Sequence, residues 1–178
     1  MGQLKRDRSL GDGVYFAPED YVGIGPRIVI FLIDSLFLIA LVWLIAFAWV
    51  NLIGEYSWLF AFLLLGAIWA YLVPLKRSKF RTFGYRISGC KLVTLQGKRP
   101  SIFMLTIRLF LWLFGPFMDI VWCGVDDDRQ SLRDRFTYMC LVRNAVEPIG
   151  TGEIHLAYFD AFGYNLTFPC VVHPKTST

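Results

Sequence analysis

Two long apolar runs, residues 26–50 and 58–75, dominate this sequence of 178 residues and restrict what it can fold into. The first carries Arg27 and Asp34 as its only ionisable groups. At about 1.5 Å per residue it is long enough to cross a hydrocarbon core of roughly 30 Å. Trp58 to Leu75 is almost uninterrupted, and the short turn 51–57 between the runs makes them a helical hairpin. Composition agrees: 56% hydrophobic and only 18% charged residues, with a mean hydropathy of +0.50, lie outside the range of a water-soluble domain of this length. Disordered, collagen-like and disulfide-stapled classes fail on the same figures. The net charge of +4 comes from basic residues that flank the apolar runs, where they face anionic headgroups and not nucleic acid.

Polarity and topology follow from what surrounds these runs. Residues 1–25 are polar, mixed in charge and glycine-bearing, and read as a flexible cytosolic lead-in. Gly23-x-Gly25 follows no strand and lacks the third glycine of a nucleotide-binding turn. Ala46-x-Ala48 imitates a signal-peptidase site, but the apolar region exceeds the usual 7–15 residues or so and its leader is acidic, so an uncleaved helix is expected. Pro26 suits a first helical position, where a missing N–H is harmless. Trp43, Trp49, Tyr56 and Trp58 gather at one end of the hairpin as an interfacial belt. From Lys76 to Ser101 there are eight basic residues and no acid, which places this loop and the N-terminus in the cytoplasm and the turn 51–57 outside. Lys76, Arg77, Lys79 and Arg81 are the expected contacts for anionic lipids.

A third apolar stretch, 102–125, holds Arg108 and Asp119 and is broken by Gly115-Pro116, where a kink is expected. It is either one bent crossing or a re-entrant or interface-lying hairpin, because neither half alone spans a bilayer. Arg86-Ile-Ser-Gly-Cys-Lys-Leu-Val93 aligns with Arg135-Phe-Thr-Tyr-Met-Cys-Leu-Val142, superposing the arginine and the closing Leu-Val. Should the two segments pair as strands, they lie on one side of the membrane and favour the second form. The aspartates 126–128 read as an exposed turn, with Asp127 and Gln130 at capping-box spacing; a calcium loop would need a glycine and a closing glutamate that are missing.

Beyond Glu147 the composition turns soluble. Residues 153–159 and 165–172 read as a hairpin in a C-terminal extension, 147–178, whose Tyr158, Phe159, Phe162, Tyr164 and Phe168 are too many for a lone ribbon in water. They are expected to pack on this chain's own surface or to dock on a partner. Cys90, Cys123, Cys140 and Cys170 form no C-x-x-C pair and read as small buried hydrophobes; with His155 and His173 as the only histidines, no metal site or cofactor is expected.

Arg27 and Asp34 are seven apart and so share a helical face. A carboxylate that deep needs a partner or a proton, and Arg108, at a comparable depth in the third segment, is the expected partner of Asp34. Such a cluster is either a proton or cation relay or a staple between helices, and the small number of spans favours the staple.

With Asp134 in Ser131-Leu-Arg-Asp-Arg135, this arrangement of Arg27 and Asp34 resembles the RDD family of prokaryotic membrane proteins. Arg81-Thr-Phe-Gly-Tyr-Arg86, Gly97-Lys-Arg-Pro-Ser101 and the surroundings of Arg108 add to the likeness, which covers roughly residues 20–145. The resemblance implies that the three name-giving residues are Arg27, Asp34 and Asp134, with Asp119 the lesser alternative for the third. Tyr138 departs from it, standing where glycine is usual.

Taken together, the expectation is a mainly α membrane protein: two full transmembrane helices, a kinked or re-entrant third segment, short cytosolic-side strands and a C-terminal β-hairpin, with an RDD-like membrane domain over 26–146. The expected role is non-catalytic, an accessory or assembly subunit docking onto other integral membrane subunits of a larger, energy-transducing complex in the bacterial inner membrane. The alternative is a homo-oligomeric proton-coupled cation transporter working through Arg27, Asp34, Arg108 and Asp134.

Overall fold

The computed structural model describes residues 4–5, 10–55, 57–112, 129–161 and 164–171. Strands β1 (Leu4–Lys5) and β2 (Asp12–Tyr15) precede the long helix α1 (Ile24–Leu52). Helix α2 (Trp58–Ala70) returns antiparallel and passes without a break into a π-helical turn, Tyr71–Leu75. Next come α3 (Phe83–Ile87), β3 (Cys90–Thr94), α4 (Ile102–Trp112), α5 (Leu132–Phe136) and β4 (Met139–Arg143). The chain ends in β5 (Gly150–Ala161) and β6 (Tyr164–Val171). Gly115-Pro116, Asp119 and Asp126 to Asp128 lie outside the described residues, as does any kink expected there.

α1 spans 29 residues, about 43 Å at the helical rise, and only Ile30 and Asp34 are buried along it. No residue of α2 is buried. Leu44, Phe47, Phe62 and Leu65 are all exposed. A helix that is apolar all round and uncovered by protein needs a hydrocarbon surrounding. Both helices are long and apolar enough to cross a membrane, α2 together with its π turn. Pro74 explains that turn: proline lacks the donor for an i−4 bond and crowds that carbonyl, and the wider π geometry accommodates it.

The polar end of the bundle is built on a β3–β4 ribbon, paired antiparallel with Leu92 opposite Leu141 at its centre. Because side chains alternate, Cys90, Leu92, Met139 and Leu141 face Val22, Ile30, Val73 and Leu105 of the helical layer. Val93, Cys140 and Val142 face Phe16 and Tyr21 on the opposite side. The ribbon is thus buried on both faces. Cys90 and Cys140 are free thiols within it.

The two segments aligned in the sequence are these two strands with the short helix before each. Thr82 is the N-cap of α3 and Ser131 that of α5. Gly89 and Tyr138 both take positive φ, +61° and +53°, before their strands. Leu95 N donates to Tyr138 O at 3.0 Å, and Asn144 N donates to Gly89 O at 2.7 Å. The repeat is a helix–turn–strand unit whose two copies pair about a local two-fold axis.

Within the described residues of the lead-in, 4–5 and 10–25, the chain is tied into the fold and is not a flexible approach to the membrane. β5 pairs antiparallel with β1, β2 and β6, so both ends of the chain share one sheet. Phe16, Tyr21 and Val22 are buried. A capping box is present four residues after the expected one, with Ser131 and Asp134 as its members; Asp127 lies outside the described residues.

Candidate functional site

The ionisable residues of the apolar runs separate into two clusters. Asp134 is wholly enclosed, and its carboxylate faces two arginines. Arg27 Nη1 donates to Oδ2 at 2.7 Å, while Arg108 Nη1 donates to Oδ1. The local sequence aims this carboxylate: as third residue of α5 it accepts from Ser131 N at 3.1 Å, and Ser131 Oγ accepts from Asp134 N at 3.2 Å. Arg27 is fixed at every nitrogen, since Nε donates to Val22 O at 3.0 Å and Nη2 to Arg129 O at 2.9 Å. Burial opposes ionisation of Asp134, but the guanidiniums of Arg108 and Arg27 and the Ser131 N–H outweigh it and hold the carboxyl well below the usual carboxylate range.

Asp34 sits two helical turns beyond Arg27 on the same face and meets neutral donors. Tyr71 Oη donates to Oδ1 at 2.8 Å, Gly84 N to Oδ1 at 2.8 Å and Thr82 Oγ1 to Oδ2 at 2.8 Å. Tyr71 comes from the π turn, so the widened geometry that admits Pro74 also places this hydroxyl. Thr82 and Gly84 open α3, and a Cβ on Gly84 would stand 2.5 Å from Ile30 O and 2.9 Å from Asp34 Oδ1. Only glycine allows α3 this close to α1.

The expected Asp34–Arg108 contact is therefore replaced by two others. Arg108 reaches from α4 to the start of α5, where Asp134 already holds Arg27, whereas Asp34 looks across α1 toward the start of α3. Arg27, Arg108 and Asp134 come together; Asp34 does not join them. Tyr71, Thr82 and Gly84 were not singled out as its partners, although Thr82 and Gly84 stand in the quoted Arg81-Thr-Phe-Gly-Tyr-Arg86 motif and a threonine before a glycine-bearing helix start is a capping signal.

Corrections also fall on the other candidate residues. Phe168 does not present itself to a partner: it is 2% exposed and packs edge-on against Phe136, with ring centroids 5.0 Å apart. The side chains of Tyr158, Phe159, Phe162 and Tyr164 lie outside the described residues. Of the four cations expected at the headgroups, Arg77 and Lys79 are exposed. Arg81 instead donates from Nη1 to Cys90 O at 3.0 Å. Lys76 turns inward, with Nζ 4.8 Å from the centre of the Tyr85 ring.

Lys76 lines a cavity of about 410 Å³ between α1, the π turn, α4 and α5, with Arg27, Asp34, Arg108 and Arg133 also on its walls. Burial pulls the Lys76 ammonium below its ordinary value, Tyr85 and Asp34 oppose this, and the nearby positive charges of Arg108 and Arg133 add to it. Among the described residues no group of three or more His, Cys, Asp or Glu is placed to hold a metal ion.

No curated protein and no solved structure matches the chain. A family model described as the RDD family matches residues 21–138, from the buried Tyr21 before α1 to the turn that ends α5. That span holds α1, α2, α3, β3, α4 and α5, and with them Arg27, Asp34 and Asp134. The match covers more than half of the sequence and the residues that fill both clusters, and on it the chain belongs to the RDD family, a family of membrane proteins.

Proposed function

We propose that the chain is a non-catalytic subunit of the bacterial inner membrane that assembles with a larger, energy-transducing membrane complex. α1 and α2 cross the bilayer with both chain termini in the cytoplasm, and residues 102–125 enter from that side and return to it. The single observation that carries this is the closure of the two clusters, one ionic around Asp134 and one of neutral donors around Asp34. Both oxygens of Asp134 are taken by arginines and both oxygens of Asp34 by hydroxyl or amide donors, an arrangement that ties α1 to α3, α4 and α5. Polar contacts of this kind contribute about 0.6–2 kcal/mol each to helix association in a bilayer. A relay needs a continuous polar path through the spans, and a carboxylate whose oxygens are filled by the π turn and the start of α3 is poorly suited to that.

Support for the re-entrant path comes from the β3–β4 pairing, because strands on either side of residues 102–125 share one layer. The basic stretch from Lys76 to Arg99 lies at that same end, opposite the turn after Leu52.

The test uses the full chain purified in gentle detergent and then reconstituted. Co-migration with a stoichiometric membrane partner, and no proton-coupled cation flux in proteoliposomes from either the native chain or Asp34→Asn, are the expected results. Flux in the native chain that Asp34→Asn abolishes, with folding intact, overturns the proposal in favour of a transporter. A monodisperse monomer from native membranes overturns the assembly role.

A further inference from the structure

Residues 77–87, between the π turn and β3, carry a bare apolar face. Phe80 is 72% exposed, Ile87 67% and Phe83 45%. Phe83 and Ile87 are about one helical turn apart and share the outer side of α3, while Gly84 and Tyr85 are buried on its inner side. Arg77, Lys79 and Arg86 stand exposed around these three apolar side chains, and the sequence from Lys76 to Ser101 holds no acid. The depth of this face follows from its contacts with α1. Gly84 meets α1 at Ile30 and Asp34, and Phe83 lies against Phe37 with ring centroids 4.6 Å apart. Counted from Leu52 at about 1.5 Å per residue, Phe37 lies about 22 Å along α1 and Ile30 about 33 Å. A hydrocarbon core of roughly 30 Å that starts near Leu52 ends between them, so α3 stands at its inner edge.

The turn before α3 holds Phe80 outward. Ser78 Oγ donates to Leu75 O at 2.7 Å and accepts from Phe80 N at 3.1 Å and Arg81 N at 3.3 Å. Arg81, at φ +54°, is fixed to the ribbon by its guanidinium, which donates to Cys90 O and Asn144 Oδ1. With its amide satisfied inside the turn, Phe80 can enter an apolar layer without leaving a donor unpaired. Apolar side chains ringed by cations are what an element lying in the interface of an anionic leaflet requires.

We propose that α3 and the turn before it form an interfacial anchor: Phe80, Phe83 and Ile87 insert at the acyl boundary of the cytoplasmic leaflet, and Arg77, Lys79 and Arg86 bond the phosphates of anionic phospholipids there. The inference rests on the crossing of α1 and the cytoplasmic side proposed for its start. Thr82 and Gly84 of the same segment donate to Asp34, so the anchor also sets the depth of that carboxylate.

The experiment puts the photoreactive residue benzoylphenylalanine at one position of the full chain at a time and identifies by mass spectrometry what it captures in native membranes. In place of Phe80 or Ile87 it should capture phospholipid. In place of Leu44 on α1 or Phe62 on α2, 66% and 70% exposed, it should do the same. Ile149 is also exposed, but it is joined to Tyr15 on the far side of the ribbon, and a probe there should capture little lipid. In vesicles of phosphatidylglycerol and phosphatidylcholine in equal amounts, the probe at Phe80 should capture the anionic lipid in about threefold excess or more. Arg77→Gln, Lys79→Gln and Arg86→Gln together should bring that ratio near unity. Protein captured in place of lipid at Phe80 and Ile87 overturns the proposal and gives this face to another subunit. Probes there that capture nothing, while Leu44 and Phe62 capture lipid, overturn the anchor and leave the crossing of α1 standing. Absence of lipid at both Leu44 and Phe62 overturns the crossing on which the anchor rests. Equal capture of the two lipids by the native cations, or as much lipid at Ile149 as at Phe80, overturns the anchor as well.

Discussion

At the scale of single residues, Asp34 shows how a buried carboxylate is retained without a cation. Its three donors are neutral, so replacing it by alanine leaves the Tyr71 and Thr82 hydroxyls and the Gly84 amide without their acceptor; each unmet buried group costs about 1–3 kcal/mol. Asparagine fits better, since its oxygen can accept from Tyr71 and Gly84 while its amide donates to the Thr82 oxygen. Asp34→Ala should therefore lose about 2 kcal/mol or more, and Asp34→Asn less than about 1 kcal/mol, in reversible unfolding followed in detergent. Asp134 behaves differently because its stabilisation is ionic. Its folded carboxyl is held below the unfolded value near about 3.9, so its contribution is complete above that pH and declines as pH falls below it. The fall in melting temperature between about pH 5 and pH 3 should be steeper in the native chain than in Asp134→Asn. The stripe of Arg27 and Asp34 was legible in the sequence from their spacing alone. The donors to Asp34 were not, because they belong to a five-residue helix and a π turn whose placement is tertiary.

Among elements, the repeated helix–turn–strand unit is the part of the fold that local sequence announced most directly. Arg86 and Arg135 occupy matching places, as do Leu92 and Leu141, and the latter two lie opposite each other in the ribbon. The odd residue is Tyr138. Its counterpart Gly89 adopts φ +61° freely, whereas Tyr138 holds φ +53° against the crowding of its own Cβ. A non-glycine residue in this region costs of the order of 1–3 kcal/mol, and the Tyr138 side chain is half exposed, with little packing to lose. Tyr138→Gly should accordingly raise stability by about 1 kcal/mol, seen as a higher melting temperature with Asp134 still paired. Gly89→Ala should lower it by a similar amount. An unchanged melting temperature in Tyr138→Gly would mean that the turn relaxes without strain. The π turn, by contrast, was hidden: Pro74 sits in an apolar run that reads as plain helix, and only the demand of its ring widens the backbone there.

For the whole molecule, the two ends of the chain are the least legible part, because pairing across such a sequence distance leaves no local pattern. β2 is only four residues, and its Gly13 is defined by what approaches it: a Cβ there would meet Val171 Cγ2 at 2.6 Å and Leu95 O at 3.0 Å. The lead-in thus lies between the C-terminal hairpin and the ribbon, with Val14 N donating to Leu95 O at 2.8 Å and Ile149 N to Tyr15 O at 2.9 Å. The hairpin in turn covers α5 through Phe168 on Phe136. Removing residues 147–178 takes away every cross-strand partner of β2 while leaving the Arg27–Asp134–Arg108 cluster its own residues. In the truncated chain, chymotrypsin should cut after Phe16, a side chain 2% exposed in the intact protein, more than about tenfold faster than in the full chain. Cleavage within α1 near Arg27 should stay slow, because the cluster that fixes this end of the helix does not depend on the hairpin. Equal resistance at Phe16 in both chains would mean that the ribbon alone, through Val93, Cys140 and Val142, holds the lead-in in place.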